Sequence, residues 1–206
     1  MKLLAALFVL TFATGVNSSF NETFAKYFMW PMAASAYSDH PELCVKDNFK
    51  QSDFKRKIEV QCDLLKEDKC AAFTAVSHSD KAIILSFRGS VDAEVSQEVI
   101  DAIIVLPISE FSGKAKVNQY FYDAFNDLWN AGIKNDFLSL KNANPGYELW
   151  ITGHSLGQPY LECDEDESKN CSDSVLDLSI GDHSLYYSVT TAFTSNGCKG
   201  WNPFNQ

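Results

Sequence analysis

The chemistry open to this chain centres on one serine. Ser155 stands in Gly153-His154-Ser155-Leu156-Gly157, directly after the apolar run Leu149-Trp150-Ile151-Thr152. A Gly-x-Ser-x-Gly stretch that follows a strand suits a sharp strand-to-helix turn, which lifts the serine hydroxyl clear of the sheet. The flanking glycines relieve the Cβ clashes of that corner. A serine hydroxyl is a weak nucleophile until a histidine takes its proton and a carboxylate orients that histidine. In the chain order serine, acid, histidine, His183 is the one histidine after Ser155 and is the expected base. His154 adjoins the serine and is expected to point elsewhere. A developing oxyanion needs two pre-aimed donors. The backbone N–H of Leu156 is one, and the turn Phe87-Arg88-Gly89-Ser90 offers the other at Ser90. The plainer reading of the same residues is a glycine turn with a solvated serine, a surface histidine, and a structural turn braced by Arg88.

These groups need a sheet to position them. Residues 58–64, 71–77 and 82–87 read as strands, and the short turn His78-Ser79-Asp80 makes the last two an antiparallel hairpin. Val95, Val99 and Ile103 share one helix face, as do Phe121, Phe125, Leu128 and Trp129 in a helix over 119–130. Pro145-Gly146 marks a turn, and 148–152 is a strand that runs into Gly153. The aromatic stretch from Phe20 to Tyr37 reads as a helix interrupted by Pro31. The order strand, helix, helix, strand predicts an α/β layer architecture.

Composition bounds the class. The chain has 206 residues, 46% of them apolar, so one domain with a real core is expected. A net charge of −10 disfavours nucleic-acid partners, whose phosphates it would repel. Met1-Lys2, the apolar run Leu3 to Ala13, and the small residues Val16 and Ser18 read as a signal peptide over 1–18, too short to span a bilayer. The expected mature domain, 19–206, is secreted and extracellular, with no transmembrane segment. Its six cysteines, Cys44, Cys62, Cys70, Cys163, Cys171 and Cys198, suit disulfides in an oxidising compartment. Six cysteines allow 15 connectivities. Spacing favours Cys62 with Cys70 and Cys163 with Cys171, which leaves Cys44 with Cys198. There is no Cys-x-x-Cys and the histidines are scattered, so neither a metal nor a cofactor is expected. Asn21-Glu22-Thr23 and Asn170-Cys171-Ser172 are N-glycosylation acceptor patterns.

Phe-Arg-Gly-Ser at 87–90, Ile-Thr-Gly-His-Ser-Leu-Gly at 151–157 and Asp-His-Ser-Leu-Tyr-Tyr at 182–187 together resemble the fungal-type (class 3) lipases, from about Tyr37 to Cys198. The resemblance implies an α/β-hydrolase fold and hydrolysis of triacylglycerol or related carboxylic esters at an oil–water interface. It implies a helical lid over about 91–100, Ser155 as nucleophile, His183 as base, and Ser90 with Leu156 lining the oxyanion hole. The three favoured cysteine pairs also resemble those of the family's fungal members.

The chain departs from that family just after the elbow. Where the family has Gly-Gly opening a long helix, this chain has Gly157-Gln158-Pro159-Tyr160, and an acidic run from Glu162 to Glu167 follows. Pro159 lacks the N–H that would bond back to the Ser155 carbonyl. Only 27 residues separate Ser155 from His183. One parallel crossover takes about 10–12 residues and a strand about 5 more, and the family resemblance implies two such units here. An incomplete α/β-hydrolase fold is therefore predicted. It would be truncated internally between about 157 and 162, lacking C-terminal sheet strands, helices and the triad acid, which stays unassigned. Glu162, Asp164, Glu165, Asp166, Glu167, Asp173 and Asp177 are candidate replacements, and Asp182 adjoins His183 in poor geometry for orienting it.

Export and oxidation are checked by intact mass. The expected mature chain begins near Ser19 and takes up no alkylating reagent before reduction; two or more alkylated cysteines at that stage contradict the disulfide framework.

Overall fold

The computed structural model describes residues 21–62, 69–89, 108–111, 115–154, 185–186, 189–190 and 198. Four strands form the main sheet: β1 (Ser52–Gln61), β2 (Lys69–Ser77), β3 (Ala82–Phe87) and β6 (Glu148–Gly153), in the order β1-β2-β3-β6. The first three pair antiparallel, and β6 joins parallel to β3. Lys69–Ser77 and Ala82–Phe87 form the hairpin expected from the sequence, with Lys81 at φ 53° in its turn. β1 starts six residues earlier than expected and carries a bulge between Phe54 and Arg56. Two short antiparallel pairs lie outside this sheet, β4 (Ile108–Phe111) with β5 (Ala115–Asn118), and β7 (Leu185–Tyr186) with β8 (Val189–Thr190).

Helices cover both faces of the sheet. On one face run α1 (Glu22–Phe24), a π-helical turn (Ala25–Met29), α2 (Trp30–Ser35) and α3 (Pro41–Asn48). The other face packs against α4 (Gln119–Leu128), a second π turn (Trp129–Ile133) and α5 (Lys134–Ala143). Side chains alternate across the strands with period two, so neighbouring residues enter different cores. Phe73, Ala75 and Ile84 pack with Met32, Val45, Phe49 and Trp150, whereas Ala72 and Leu85 pack with Ile58, Leu128 and Ile133. Burial on both sides explains why β2 and β3 read as apolar runs rather than alternating ones. Each large apolar side chain buried here contributes about 2 kcal/mol of transfer free energy. β6 is covered on the Trp150 side only; Leu149 and Ile151 remain exposed on the other.

The N-terminal helix, read as interrupted at Pro31, carries a π turn directly before that residue and continues beyond it. Trp30 N–H bonds to Ala25 O, five residues back, so the helix widens by one residue just before the proline. Pro31 then falls in the first turn of α2, directly after that wider turn. Asn21 caps the helix start by accepting from Phe24 N–H at 3.0 Å. The helices α3 and α5 were not read from the sequence. Their apolar faces are weak, and each depends on packing against the sheet rather than on its own pattern. The helix expected around Val95–Ile103, the implied lid over 91–100 and the acidic run from Glu162 to Glu167 lie outside the described residues.

Two disulfides brace this frame. Cys62–Cys70 closes the β1–β2 hairpin across 8 residues, and Cys44–Cys198 joins α3 to the C-terminal part across 154. Restricting the unfolded chain in this way is worth about 2–3 kcal/mol for the short loop and about 5 kcal/mol for the long one. Cys163 and Cys171 lie outside the described residues.

A second lock joins the outer helices to β1. Arg56 Nε donates to the buried carboxylate of Asp136 at 2.6 Å. Gly132, at φ 142°, lies beside the Arg56 guanidinium and Ile58, where a side chain would have no room. An added methyl there would meet the guanidinium, and the backbone angle is one that side-chain-bearing residues rarely adopt. Swinging Arg56 aside would leave Asp136 buried without its partner. Gly132→Ala is expected to lower the unfolding free energy by about 2 kcal/mol or more, read from urea denaturation followed by circular dichroism.

Candidate active site

The site is built by the parallel pairing of β3 with β6. In this register Phe87 lies beside Gly153, and Ser86 beside Thr152. Both strands run the same way, so the turn after β3 and the turn after β6 leave the sheet at the same edge. The described residues end there at Gly89 and His154. Ser90, Ser155, Leu156 and His183, the expected oxyanion donors, nucleophile and base, lie just beyond them or further along, outside the described residues. Asn170 lies outside them as well. What the structure places side by side is the pair of platforms from which Ser90 and Ser155 continue.

Each platform is held by several polar contacts. Ser86, fully buried, donates from Oγ to Met32 O at 2.9 Å, and Thr152 Oγ1 donates to Met29 O at 3.2 Å. The two hydroxyls are register partners on adjacent strands, and both fasten the same helix. Met32 O is free for this because Ala36 N–H turns back to Ala33 O; Ser35 Oγ also donates to it at 2.9 Å. His154 is 3% exposed. Its Nδ1 shares a hydrogen bond with Tyr37 Oη at 2.8 Å, and its ring meets Trp30 and Tyr37 edge-on, with centroids 5.9 and 5.7 Å apart. The histidine beside the serine thus points into the protein.

The β3 platform is anchored through Arg88. Its backbone N–H donates to Ala71 O at 2.8 Å, Nη2 donates to Lys69 O, and Nη1 lies 3.5 Å from Glu59 Oε2. The Arg88 Nε is buried and has no hydrogen-bond partner among the described residues. Lys69 Nζ donates to Glu59 Oε1 at 2.9 Å. The hydrogen bond from Lys69, with the charges of Lys69, Arg88 and Lys57, holds the Glu59 carboxyl below its ordinary value. Lys57 donates to Ser38 O at 2.9 Å and is pushed below the usual lysine value, first by burial and then by Arg88. Arg88 therefore braces the turn, which the plainer sequence reading allowed, and that bracing sets the direction in which the chain leaves toward Ser90. Glu59, Tyr37, Ser86 and Thr152 carried no recognisable signal, because their partners lie 10 to 123 positions away in the chain. Among the described residues no cluster of His, Cys, Asp or Glu could hold a metal ion.

A mixed sheet with helices on both faces and a strand running into Gly-His-Ser-Leu-Gly defines a partial α/β-hydrolase fold. Residues 84–158, which span β3, the crossover and β6 with its elbow, match the sequence model of the class 3 lipases. The solved lipase of Rhizopus microsporus var. chinensis superimposes with a TM-score of 0.52 and 21% identity over 68% of this chain and 48% of that one. Lip2 lipase of Yarrowia lipolytica gives a TM-score of 0.49 at 19% identity, over 67% and 50%. An uncharacterized protein of Caenorhabditis elegans is 26% identical over 159 residues, 63% of this chain and 76% of that protein. The match to the class 3 lipase model is confined to residues 84–158. It spans about half the length of the solved lipases it matches.

Glu59 supplies a pH signature. Its folded-state value lies below the ordinary 4.5, so its stabilisation is present above that pH and is lost as pH falls through the lowered value. The side chain is partly exposed, so the contribution is modest, about 1 kcal/mol or less. Glu59→Gln is expected to lower the melting temperature at pH 7, and the difference from the parent should close as the buffer is taken below pH 4.5.

Proposed function

We propose that the chain is a secreted, lipase-like serine hydrolase acting on triacylglycerol or related carboxylic esters at a lipid–water boundary. The observation that carries this reading is the in-register parallel pairing of Phe87 with Gly153, which sets the ends of β3 and β6 level on one side of the sheet, where the sequences Phe-Arg-Gly-Ser and Gly-His-Ser-Leu-Gly begin. The match of residues 84–158 to the class 3 lipase model supports the reaction class. In this mechanism Ser155 Oγ attacks the ester carbonyl while His183 takes its proton. The N–H groups of Leu156 and Ser90 bind the oxyanion. His183 then returns the proton to the leaving alcohol, and water repeats the sequence on the acyl-enzyme. The six cysteines, two disulfides of which the structure holds, support passage through an oxidising compartment, with the domain beginning after a signal peptide at 1–18.

The short interval between Ser155 and His183 supports a second reading, a lipase-like protein that binds lipid with little turnover. No acid is assigned to orient His183, and loss of that carboxylate alone costs about 10⁴ in rate. The two readings separate on one comparison. The 206-residue chain, its Ser155→Ala variant, and a longer form with a helix, strands and an Asp inserted between Gly157 and Gln158 are assayed on a short-chain chromogenic ester and on emulsified triacylglycerol. Slow ester hydrolysis that disappears in Ser155→Ala, with efficient lipolysis by the longer form alone, is the expected result. Hydrolysis unchanged in Ser155→Ala contradicts the assignment of the nucleophile. Efficient lipolysis by the 206-residue chain contradicts the missing segment and turns attention to Asp164, Glu165 and Asp166 as the acid.

A further inference from the structure

We propose that Tyr37 is a positioning residue for the nucleophile, acting through His154. This rests on the reading of Ser155 as nucleophile and adds to it a residue that the Gly-x-Ser-x-Gly pattern does not contain. His154 and Ser155 are consecutive, so the peptide that follows His154 carries the Ser155 backbone. Whatever restrains the His154 side chain restrains the corner from which the serine hydroxyl projects. The restraint is specific in direction: Tyr37 Oη meets Nδ1 at 2.8 Å, while Trp30 and Tyr37 contact the ring edge-on. At 3% exposure the imidazole has no solvent to replace that bond.

Tyr37 is itself held. It follows α2, whose Met32 carbonyl takes the Ser86 hydroxyl, while the Thr152 hydroxyl bonds Met29 O in the π turn just before α2. Tyr37 N–H donates to Ala34 O at 3.2 Å, and Ser38 N–H to Ser35 O at 3.0 Å. The next carbonyl, Ser38 O, accepts from Lys57 at 2.9 Å. The phenol thus reaches His154 from a segment bonded to β1, β3 and β6 together. A nucleophile corner tolerates little drift, since a misplacement of about 1 Å can cost 100-fold in rate. Removing only the hydroxyl keeps the ring packing and releases the hinge of that corner.

The experiment compares the full chain with Tyr37→Phe, using Tyr147→Phe as the control because Tyr147 meets His78 at the far end of the sheet. Covalent labelling by a serine-directed phosphonate is followed as a function of reagent concentration, giving the binding constant, the limiting rate and the labelled fraction separately. The proposal expects Tyr37→Phe to lower the limiting rate by about 10-fold or more, with binding constant and labelled fraction unchanged and Tyr147→Phe indistinguishable from the parent. It also expects the His154 Nδ1 resonance to move in Tyr37→Phe, read from 15N-histidine spectra, which does not depend on reactivity. A parental limiting rate in Tyr37→Phe overturns the proposal. So does a lowered labelled fraction at parental rate, which is the mark of a merely structural role. An unmoved Nδ1 resonance overturns it too. Failure of the parent chain itself to label at Ser155 is a different result: it overturns the hydrolase reading, and the proposal falls with it.

Discussion

The parallel hydrogen bonding between β3 and β6 is the contact on which the site depends. An antiparallel neighbour would send the two following turns to opposite edges of the sheet. Parallel pairing sends both to the same edge, and the register Phe87 with Gly153 brings the two ends level. A shift of one residue would also turn every side chain to the other face, moving Trp150 out of the core that it shares with Phe28 and Phe49. Register and core packing therefore select the same arrangement.

Parallel strands cannot be joined by a tight turn, so this pairing depends on what covers it. On one face, the helix from Glu22 to Ser35 lies across both strands and takes a hydroxyl bond from each. Phe24 and Phe28 meet Trp150 edge-on, at 4.8 and 5.8 Å, and Cys44–Cys198 ties the neighbouring helix to the C-terminal part. On the other face, the Arg56–Asp136 pair fixes α5 to β1. The face of β6 opposite Trp150 is the weak side. Leu149 and Ile151 are exposed there, at 43% and 45%, on a strand that ends the described sheet.

Local chemistry written into consecutive residues was legible in the sequence. Ala82–Phe87 and Glu148–Thr152 were readable as strands because β-branched and aromatic residues sit between turn signals, and the hairpin turn at 78–81 is encoded locally. The pattern Gly-x-Ser-x-Gly could be recognised because a strained turn has few solutions. The interruption read at Pro31 takes the form of a π turn directly before it, a detail that leaves no mark in composition. The supports of the site were also hidden. Tyr37 reads as one aromatic among many until the fold brings it to His154, 117 positions along the chain. Glu59 looks like a solvated charge on an edge strand until Lys69 and Arg88 close around it.

Hydrogen–deuterium exchange across the sheet tests the pairing of β3 with β6 most directly. If β6 is bonded to β3 in the folded chain, peptides covering 82–87 and 148–153 exchange slowly, and on adding denaturant they open together in one step. If 148–153 exchanges at the rate of an unstructured peptide while 82–87 stays protected, the two platforms are not joined and the site described here does not exist in this chain.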